Sequence, residues 1–480
     1  MQENGVIQEN KMGTRPVNRL LVSMALPLMI SMLVQALYNV VDSVYVAQLS
    51  QNALNAVSLS FPIQNLMIAV ASGTGVGVNA LLSKSLGEKN HEMANKFAIN
   101  GVFLAICSYI VTLIFGLTCV EVFFRSQTTI SEIISGGVDY LSICCCFSFG
   151  IYGQIIFERL MQSTGKTIYS MFTQGLGAIV NIILDPILIF GYLGFQPMGV
   201  AGAAIATVIG QICSMILGII LNHHFNKEVR IHPKGFRPSG KIIWNIYRIG
   251  IPSIIMVSIS SVMTYFINKL LIAIETTATA AAVFGAYYKL QSFVFMPVFG
   301  LTNAMIPIIG YNLGAGNKHR MLKTYRLSVM YALIVMILGM AAMLFLPNVL
   351  LSFFNASSMM MQIGEPALRI ICLSFPFAAF GIVAGSFFQA CGNGLVSMIM
   401  SIARQLVVLV PVAYILGYAA GVEFVWYAFP IAELASCGVA VFGRFYINKK
   451  ILSKMPEEPI NTSLQSEMGT DEQSEVPTAN

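Results

Sequence analysis

One carboxylate interrupts the apolar stretch from Gly175 to Gly191, and an amide and a proline lie close to it. Asn181 and Asp185 are four residues apart, so on a helix their side chains share a face and can address one ligand. Pro186 lacks an N–H and leaves the carbonyl of Ile182, one turn earlier, without its usual partner. Because a carboxylate inside a membrane-spanning segment is costly, it indicates a functional site by default. The side chains of Asn181 and Asp185, with the free carbonyl of Ile182, suit a small cation. The alternative is that they make a polar contact between two helices.

A second isolated acid, Asp42, lies in an apolar stretch near the start of the chain. Tyr38 and Asn39 precede it by about one helical turn, on neighbouring faces. We predict that these two residues and Gln35 line a substrate cavity beside the acid. Asp42 and Asp185 both come late in stretches that we expect to cross the membrane in the same direction, so their depths match. Adjacent carboxylates repel, and one proton or one Na⁺ relieves the repulsion, as at a coupling-ion site.

Polar groups in other apolar stretches reach a similar depth. Thr207 comes after the small residues of GVAGAAIAT, about ten residues or ~15 Å into its segment at helical rise. Its hydroxyl either binds the same ion or bonds to its own helix one turn back. Asp139 and Tyr140 enter from the same side as Thr207. Asp139 is either a further member of the site or a residue at the membrane surface.

The remaining intramembrane charges have two interpretations each. Glu158 stands beside Arg159 at the end of its stretch and either lines an opening of the transport path or is a surface neighbour of the arginine. Glu433 lies deep in the last apolar stretch and is either part of the substrate cavity or the ion-pair partner of Arg404. We favour the ion pair because an unpaired charge at that depth is costly.

Long apolar segments must position all of these residues. The chain has 480 residues, 56% hydrophobic and only 10% charged, whereas about a quarter of the residues of a soluble domain are charged. Stretches of about 20 apolar residues are typical of membrane-spanning helices, and the alternating pattern of a membrane β-barrel is absent. We therefore predict an all-α membrane protein with twelve transmembrane helices in two pseudo-symmetric six-helix bundles. The predicted spans are residues 20–46, 54–80, 97–121, 133–159, 167–192, 198–222, 249–274, 279–309, 324–353, 363–390, 395–419 and 421–447.

Lysine and arginine residues fall on alternate sides of these spans. Both ends of the chain and four of the loops carry them, and on the opposite side we place only Arg125 and Arg369. This asymmetry predicts that both termini are cytoplasmic, and it explains the net charge of +6 without a nucleic-acid partner. The first residues lack the basic region of a signal peptide, and the first apolar stretch is long enough to span.

The two predicted bundles are repeats of each other. LGEKN at 86–90 returns as LGAGN at 313–317, and QSTG at 162–165 returns as QACG at 389–392, in both cases 227 residues later. Since six spans are an even number, both repeats have the same orientation, and a substrate path at their interface is typical of transporters. At the same offset Asp185 corresponds to Val412, so the ion-coupling acids belong to the N-terminal bundle alone.

These observations divide the chain into five parts. They are a polar N-terminal arm or surface helix (1–16), an N-terminal six-helix lobe (17–222), a basic cytoplasmic linker (223–248), a C-terminal six-helix lobe (249–447) and a polar tail predicted to be disordered (448–480). The nine cysteines lie in apolar segments without metal-ligand spacing, which indicates core residues and not disulfides.

The chain lacks the motifs that an enzyme or a nucleotide-driven pump requires. It has no HExxH, GxSxG or GxxxxGK[ST] sequence, and its histidines all fall in predicted loops. We therefore predict no enzymatic activity, no nucleotide partner and no cofactor besides a coupling ion, H⁺ or Na⁺. A monomer in contact with membrane lipid is the predicted state.

Several strings resemble the multidrug and toxic compound extrusion (MATE) family, in its DinF-like, MepA-type bacterial branch, over roughly residues 15–450. They are PLMISMLVQALYNVVDSVYVA, SLGEKN, NLGAGN, ERLMQSTGKT, NIILDPILIFG, GVAGAAIAT and WYAFPIAELAS. The resemblance implies a cation site at Asp42, Asn181, Asp185 and Thr207, the same four residues that depth and spacing indicate. It also places Tyr140 and Glu158 among the polar residues of the substrate cavity.

The function that follows is a secondary antiporter of the bacterial cytoplasmic membrane. We expect it to export organic, mostly cationic and amphipathic compounds, driven by inward H⁺ or Na⁺. The alternative is a flippase for lipids or lipid-linked saccharides, which would present cationic groups along its cavity; Lys269, Lys289 and Arg404 are the residues that keep this alternative open.

Overall fold

The computed structural model describes residues 10–231, 236–275, 279–354 and 356–455. Within these ranges the chain forms helices and short connections, and no strand is assigned. The predictions for residues 1–9, His232 and the tail from 456 onward fall outside the described residues.

The described part of the N-terminal half, residues 10–231, contains nine α-helices. They are α1 (Lys11–Thr14), α2 (Val17–Leu49), α3 (Gln51–Gly87), α4 (His91–Thr118), α5 (Val120–Gln127), α6 (Ser131–Cys146), α7 (Phe149–Ser163), α8 (Thr167–Phe190) and α9 (Gly199–Phe225). Side-chain caps fix several starts: the Ser50 hydroxyl accepts from the N–H of Ala53 at the start of α3, which satisfies a donor that the helix leaves free. Gly191 ends α8 in the left-handed conformation, with φ of 77°.

The C-terminal half repeats this order with more interruptions. Its α-helices are α10 (Gly240–Ile274), α11 (Thr279–Gly314), α12 (Lys318–Phe345), α13 (Pro347–Ser352), α14 (Ser358–Ile371), α15 (Phe375–Ala390), α16 (Gly394–Ile402), α17 (Val410–Ala420), α18 (Val422–Val425) and α19 (Ala428–Lys450). A π-helix, Ala403–Leu409, joins α16 to α17.

The prediction of an all-α, multi-pass membrane protein is confirmed. Eleven helices or continuous helical runs in the described residues are long and apolar enough to cross a membrane, and α6 and α7 together, bent by 45°, make a twelfth. The bend falls at Phe147 and Ser148, inside the predicted span 133–159.

Two predicted boundaries differ from the structure. The tail was predicted to be disordered from residue 448, but α19 continues to Lys450 and a 3-10 helix follows at Leu452–Lys454. Residues up to 248 were expected to belong to the linker, but α10 begins at Gly240. Ile242, Ile246 and Ile249 are spaced at i, i+4 and i+7, and all three are buried. This apolar stripe, typical of an amphipathic helix, continues the helix into the basic segment.

The two halves meet through pseudo-symmetric glycine contacts. α3 packs against α10 at Gly73, where a Cβ atom would lie 2.8 Å from the Gly250 carbonyl oxygen. α11 packs against α2 at Gly300, where a Cβ atom would lie 2.6 Å from the backbone nitrogen of Met29. Since Gly73 and Gly300 are 227 residues apart, these contacts follow the sequence repeat and let the backbones of the two halves approach closely.

The repeated LGxxN string has a structural explanation. A Cβ atom on Gly87 would lie 1.9 Å from the Tyr311 carbonyl oxygen, and one on Gly314 would lie 2.0 Å from the Lys84 carbonyl oxygen. The asparagine three residues later caps the next helix in each half, Asn90 through its bond from Met93 N–H and Asn317 through its bond from Arg320 N–H. The string therefore closes one end of the interface between the halves and starts the following helix.

Residues 10–15, which we call the N-terminal clasp, close the same end. Met12 is fully buried, and its carbonyl oxygen accepts a hydrogen bond from Arg320 Nη2 of the C-terminal half at 3.0 Å. Asn10 Nδ2 donates to Glu228, which follows α9, at 2.6 Å. This part of the predicted arm is thus held against both halves of the chain.

Candidate functional site

The close packing of α8 and α9 positions the candidate cation site. A Cβ atom on Gly202 would lie 2.6 Å from the carbonyl oxygen of Leu188, and one on Gly210 would lie 2.7 Å from the carbonyl oxygen of Gly177. The small residues of α9 therefore allow backbone contact between the two helices, which brings Thr207 of α9 next to the polar face of α8.

On that face the structure brings three of the predicted residues together. Asn181 Nδ2 donates to Asp185 Oδ1 at 3.2 Å and to Thr207 Oγ1 at 3.3 Å. Asp185 is fully buried and Asn181 nearly so. In the described part of the chain the Thr207 hydroxyl makes no hydrogen bond to its own helix. The structure therefore favours the interpretation in which Thr207 faces the site. That these residues bind a cation stays a prediction.

Asp42 of α2 comes to the same place. α2 packs against α8, and the Asp42 and Asp185 carboxylates interact electrostatically, with Tyr38 near both. Among the described residues neither acid has a lysine, arginine or histidine within ion-pair distance. The two acids therefore lie within electrostatic reach of each other, and no basic side chain of the described residues pairs with either of them. That they form one ion site stays a prediction.

The site has oxygen atoms that lack a partner. Asp42 Oδ1, Asp185 Oδ2 and Asn181 Oδ1 are all enclosed and accept no hydrogen bond within the described ranges. Such groups are rare in folded proteins, and each one calls for a ligand, water or proton. The donors are carboxylate, amide and hydroxyl oxygens, which suit a hard cation such as Na⁺. No group of three His, Cys, Asp or Glu that could hold a metal occurs in the part of the chain that the structure describes.

The predicted cavity residues on α2 divide into two groups. Tyr38 is half-buried and lies near both acids. Gln35 is half-buried and Asn39 is exposed, and neither makes a hydrogen bond with Asp42 or Asp185 in the described structure. Tyr38 therefore belongs to the immediate surroundings of the site, whereas the place of Gln35 and Asn39 in a cavity stays a prediction.

α6 contributes Tyr140, and α3 contributes a residue that sequence reasoning missed. Tyr140 is buried, and its hydroxyl accepts from Gln64 Nε2 at 3.2 Å. The Tyr140 hydroxyl also lies within electrostatic reach of Asp42. Gln64 and Asn65 are two adjacent amides in an apolar stretch, a signal similar to the one that identified Asn181; the distance of Gln64 from the acids in sequence hid its contact with Tyr140.

Asp139 lies outside this cluster. It is exposed and faces an open cavity of about 650 Å³ that is also lined by Glu132 and Ser135. Of the two interpretations of Asp139, the structure therefore supports the one at the molecular surface.

Glu158 forms a separate polar cluster with α8. It is 4% exposed, and its carboxylate accepts hydrogen bonds from Gln154, Thr173 and Gln174 at 3.1, 3.1 and 2.7 Å. Its interpretation as a surface neighbour of Arg159 is wrong, because both residues are buried. Thr173 and Gln174 precede Asp185 by three turns, about 17 Å at helical rise, so Glu158 is not a ligand of the cation site. That it lines the cavity stays a prediction.

Glu433 and Arg404 form the expected ion pair in the C-terminal half. Arg404 Nη1 donates to Glu433 Oε1 at 2.7 Å, and Glu433 Oε2 is enclosed without a partner among the described residues. Lys269 and Lys289 are exposed. These charges belong to the other half of the molecule and are not part of the Asp42–Asp185 cluster.

A family model matches both repeats of the chain and identifies the family. The model MatE matches residues 27–187 and again 251–415, which together make up more than half of the chain. This chain belongs to the MATE family. The two matches fall one in each half, with Asp42, Asn181 and Asp185 inside the first and Arg404 inside the second.

Individual known proteins are similar to this MATE transporter over most of its length. It is 25% identical to the multidrug export protein MepA of Staphylococcus haemolyticus, over 87% of this chain and 91% of that protein. It is 26% identical to an FAD transporter of Shewanella oneidensis, over 89% of this chain and 94% of that protein. A solved structure of a multidrug resistance MATE family transporter in an outward-facing conformation has a TM-score of 0.86 at 27% identity, covering 92% of this chain and 98% of the other.

Proposed function

We propose that this MATE transporter is a secondary antiporter that exports organic, mostly cationic and amphipathic compounds from a bacterial cell. Inward movement of H⁺ or Na⁺ through Asp42, Asn181, Asp185 and Thr207 drives the export. The observation that carries the proposal is the convergence of two carboxylates, from α2 and α8, without a basic side chain within ion-pair distance in the described structure.

The mechanism follows from that unpaired negative charge. Buried carboxylates are costly unless a cation or a proton neutralises them. When the site is open to the outside, binding of the ion neutralises the acids and the drug leaves. The neutral site then permits the halves to rock against each other, and on the inside the ion leaves as the next drug binds. Reciprocal linkage requires the ion and the cationic drug to weaken each other's binding.

The topology assigns directions to these steps. The basic residues at the chain ends and in alternate loops favour a cytoplasmic location for both termini. The N-terminal clasp and the Gly87–Tyr311 and Gly314–Lys84 contacts then lie on the cytoplasmic side. Their tight packing supports a closed cytoplasmic end between the halves, which has to separate for drug to enter.

Transport by purified protein in vesicles tests the proposal. Drug efflux is measured under an imposed pH gradient and then under an imposed Na⁺ gradient. Wild type and the control Asp139→Asn, which removes an exposed acid of the same half, should both export under at least one gradient. Asp185→Asn should lower the rate of gradient-driven export about tenfold or more, because the drug and the coupling ion can no longer compete for the negative charge of Asp185. Export by Asp185→Asn at the wild-type rate would contradict the assignment.

The rival function is movement of an anionic substrate, as in a lipid-linked saccharide flippase or a dinucleotide exporter. Such substrates need cationic groups for their phosphates. The N-terminal site offers carboxylates in their place, which favours the drug antiporter. Deletion of the gene separates the two: drug sensitivity follows from the proposed function, whereas a cell-envelope defect or loss of flavin export without drug sensitivity follows from the rival.

A further inference from the structure

We propose that the C-terminal half holds a second substrate site, at Arg404 and Glu433, which binds the carboxylate of amphipathic compounds that carry both a positive and a negative charge. The inference rests on the proposed export of amphipathic compounds and adds a class of substrate to it. It comes from the geometry of the ion pair, from what surrounds it and from what the pair leaves unsatisfied.

The local fold turns Arg404 toward the last span. Arg404 lies in the π-helix Ala403–Leu409, directly before α17. Pro411, at the start of α17, removes an N–H and clashes with the turn before it, which explains why the regular α-helical pattern breaks there. A π-helix widens the turn and often marks a functional position. Here it faces α19, where Glu433 lies.

The ion pair uses only part of each side chain. Arg404 Nη1 and Glu433 Oε1 are 2.7 Å apart. Glu433 Oε2 is enclosed without a partner in the described structure. Arg404 makes no other hydrogen bond among the described residues, and 23% of its side chain is exposed. One edge of the guanidinium, with the N–H groups of Nε and Nη2, is therefore left open.

The open edge of Arg404 requires a polar neighbour. A guanidinium that faced lipid at this depth would be strongly unfavourable, so the exposed part of Arg404 must lie against water or a ligand. The Tyr287 hydroxyl of α11 lies within electrostatic reach of both members of the pair, and that of Tyr288, which is 39% exposed, within reach of Arg404. A Cβ atom on Gly381 of α15 would lie 3.4 Å from Ser436 Oγ and 3.8 Å from Glu433 Oε2, so the space beside the carboxylate is about the size of a methyl group. Aromatic rings and hydroxyl groups around an arginine suit an amphipathic ligand.

The chemistry of the open edge selects a carboxylate. The two parallel N–H groups of an arginine edge match the two oxygens of a carboxylate, and this bidentate pairing is specific in geometry. Glu433 Oε2 has no partner among the described residues but is enclosed, so the exposed edge of Arg404 is the part of the pair that a ligand can reach. Because the pair itself is neutral, a purely cationic compound gains little from it. The site therefore distinguishes compounds with both charges from compounds with a positive charge alone.

A matched pair of dyes tests this distinction. Rhodamine B carries a free carboxylate and a cationic xanthene ring system, and its ethyl ester has the same ring system without the carboxylate. Transport of both is measured in vesicles, and their binding to the purified protein in detergent is measured by fluorescence anisotropy. The binding arm needs no gradient, so it tests the site even if transport fails and the proposed function is wrong.

The decisive variant is the double substitution Arg404→Gln with Glu433→Gln, which removes both charges and keeps groups that can hydrogen-bond. We expect its Kd for rhodamine B to rise about tenfold, or ~1.4 kcal/mol, and its Kd for the ester to stay unchanged. The control is the double substitution Arg125→Gln with Glu121→Gln, which removes an exposed ion pair with the same 2.7 Å separation. It should leave both values unchanged.

Two outcomes would overturn the proposal. One is that the double variant binds both dyes like wild type, and the other is that it loses both to the same extent, as a purely structural ion pair would. If the double variant does not fold, the exchange Arg404→Glu with Glu433→Arg keeps a pair and serves in its place. The exchange should bind the ester normally and rhodamine B about tenfold more weakly, whereas equal binding of rhodamine B by this variant and wild type would contradict a role for the Arg404 edge.

Discussion

The two halves treat a carboxylate inside the membrane in different ways. In the N-terminal half Asp185 is fully buried beside an amide, and the structure describes no base within ion-pair distance of it. In the C-terminal half Arg404 holds Glu433 at 2.7 Å. A paired charge is satisfied in the empty protein, whereas an unpaired charge requires a proton or a cation. The difference supports the proposals of ion coupling in the first half and of substrate recognition in the second.

The helix packing that supports the two sites is nevertheless the same in both halves. Gly73 and Gly300 make matching contacts between the halves, and Asn90 and Asn317 cap matching helices. The repeat thus preserves packing and helix starts, while its charges have diverged. Function in this transporter is carried by the positions at which the halves differ, not by those at which they agree.

The largest effect on stability is expected from breaking the pair in the C-terminal half. Arg404→Gln leaves Glu433, whose side chain is 12% exposed, without its partner, which should destabilise the protein by up to about 3–5 kcal/mol, the cost of breaking a fully buried pair. Thermal unfolding in detergent measures the change, with Arg125→Gln as the control in an exposed pair. Because an exposed pair contributes about 0–1 kcal/mol, equal shifts for the two variants would show that the Arg404–Glu433 pair is no better shielded from water than the exposed pair.

The shared frame predicts equal losses from matched glycines. Gly87→Ala and Gly314→Ala each push a Cβ atom onto a carbonyl oxygen of the other half, at 1.9 and 2.0 Å. Each should cost about 1–3 kcal/mol through overpacking and should slow transport. Gly175→Ala is the control, since no atom lies within 4 Å of its added Cβ. A large loss at one position and none at the other would mean that the interface is not symmetric.

Much of the N-terminal site was predictable from local spacing. Asn181 and Asp185 were expected on one helical face, and the structure joins them by a hydrogen bond of 3.2 Å. Thr207 could be added because the small residues of α9 indicated a close approach of two neighbouring helices. The ion pair of Arg404 and Glu433 followed from the cost of leaving either charge alone.

The remaining contacts join helices that are distant in sequence, and periodicity does not identify such partners. The hydrogen-bond donors to Glu158 come from its own helix and from α8. The sequence alone showed only its neighbour Arg159. Arg159 donates to Asn303 of the other half at 2.8 Å. Gln64 bonds to Tyr140 across α3 and α6. A pattern of apolar residues tells which face of a helix is buried but not which helix it meets.

The opposite sign of stability change is expected in the N-terminal half. Asp185→Asn removes an unpaired charge and its repulsion with Asp42, so it should stabilise the ion-free protein by about 1–2 kcal/mol. Thermal unfolding without Na⁺ at neutral pH measures this, with Asp139→Asn as the exposed control. If Na⁺ is the coupling ion, its addition should raise the melting temperature of wild type and not that of Asp185→Asn. Destabilisation by Asp185→Asn would indicate a hidden partner for this acid.

The smallest effect is expected at Thr207. Thr207→Val keeps the shape of the side chain and removes the hydroxyl that accepts from Asn181 at 3.3 Å. Loss of one neutral hydrogen-bonding group costs about 1 kcal/mol, which should weaken binding of the coupling ion about fivefold while export persists at a higher ion concentration. The ion concentration at half-maximal export measures the change, and Thr118→Val, at an exposed threonine that bonds only to nearby residues of the chain, is the control. An unchanged ion dependence in Thr207→Val would remove Thr207 from the site. Coupling would then depend on the two carboxylates and Asn181 alone. Because a proton needs fewer ligands than Na⁺, the proton would be the simpler choice of coupling ion.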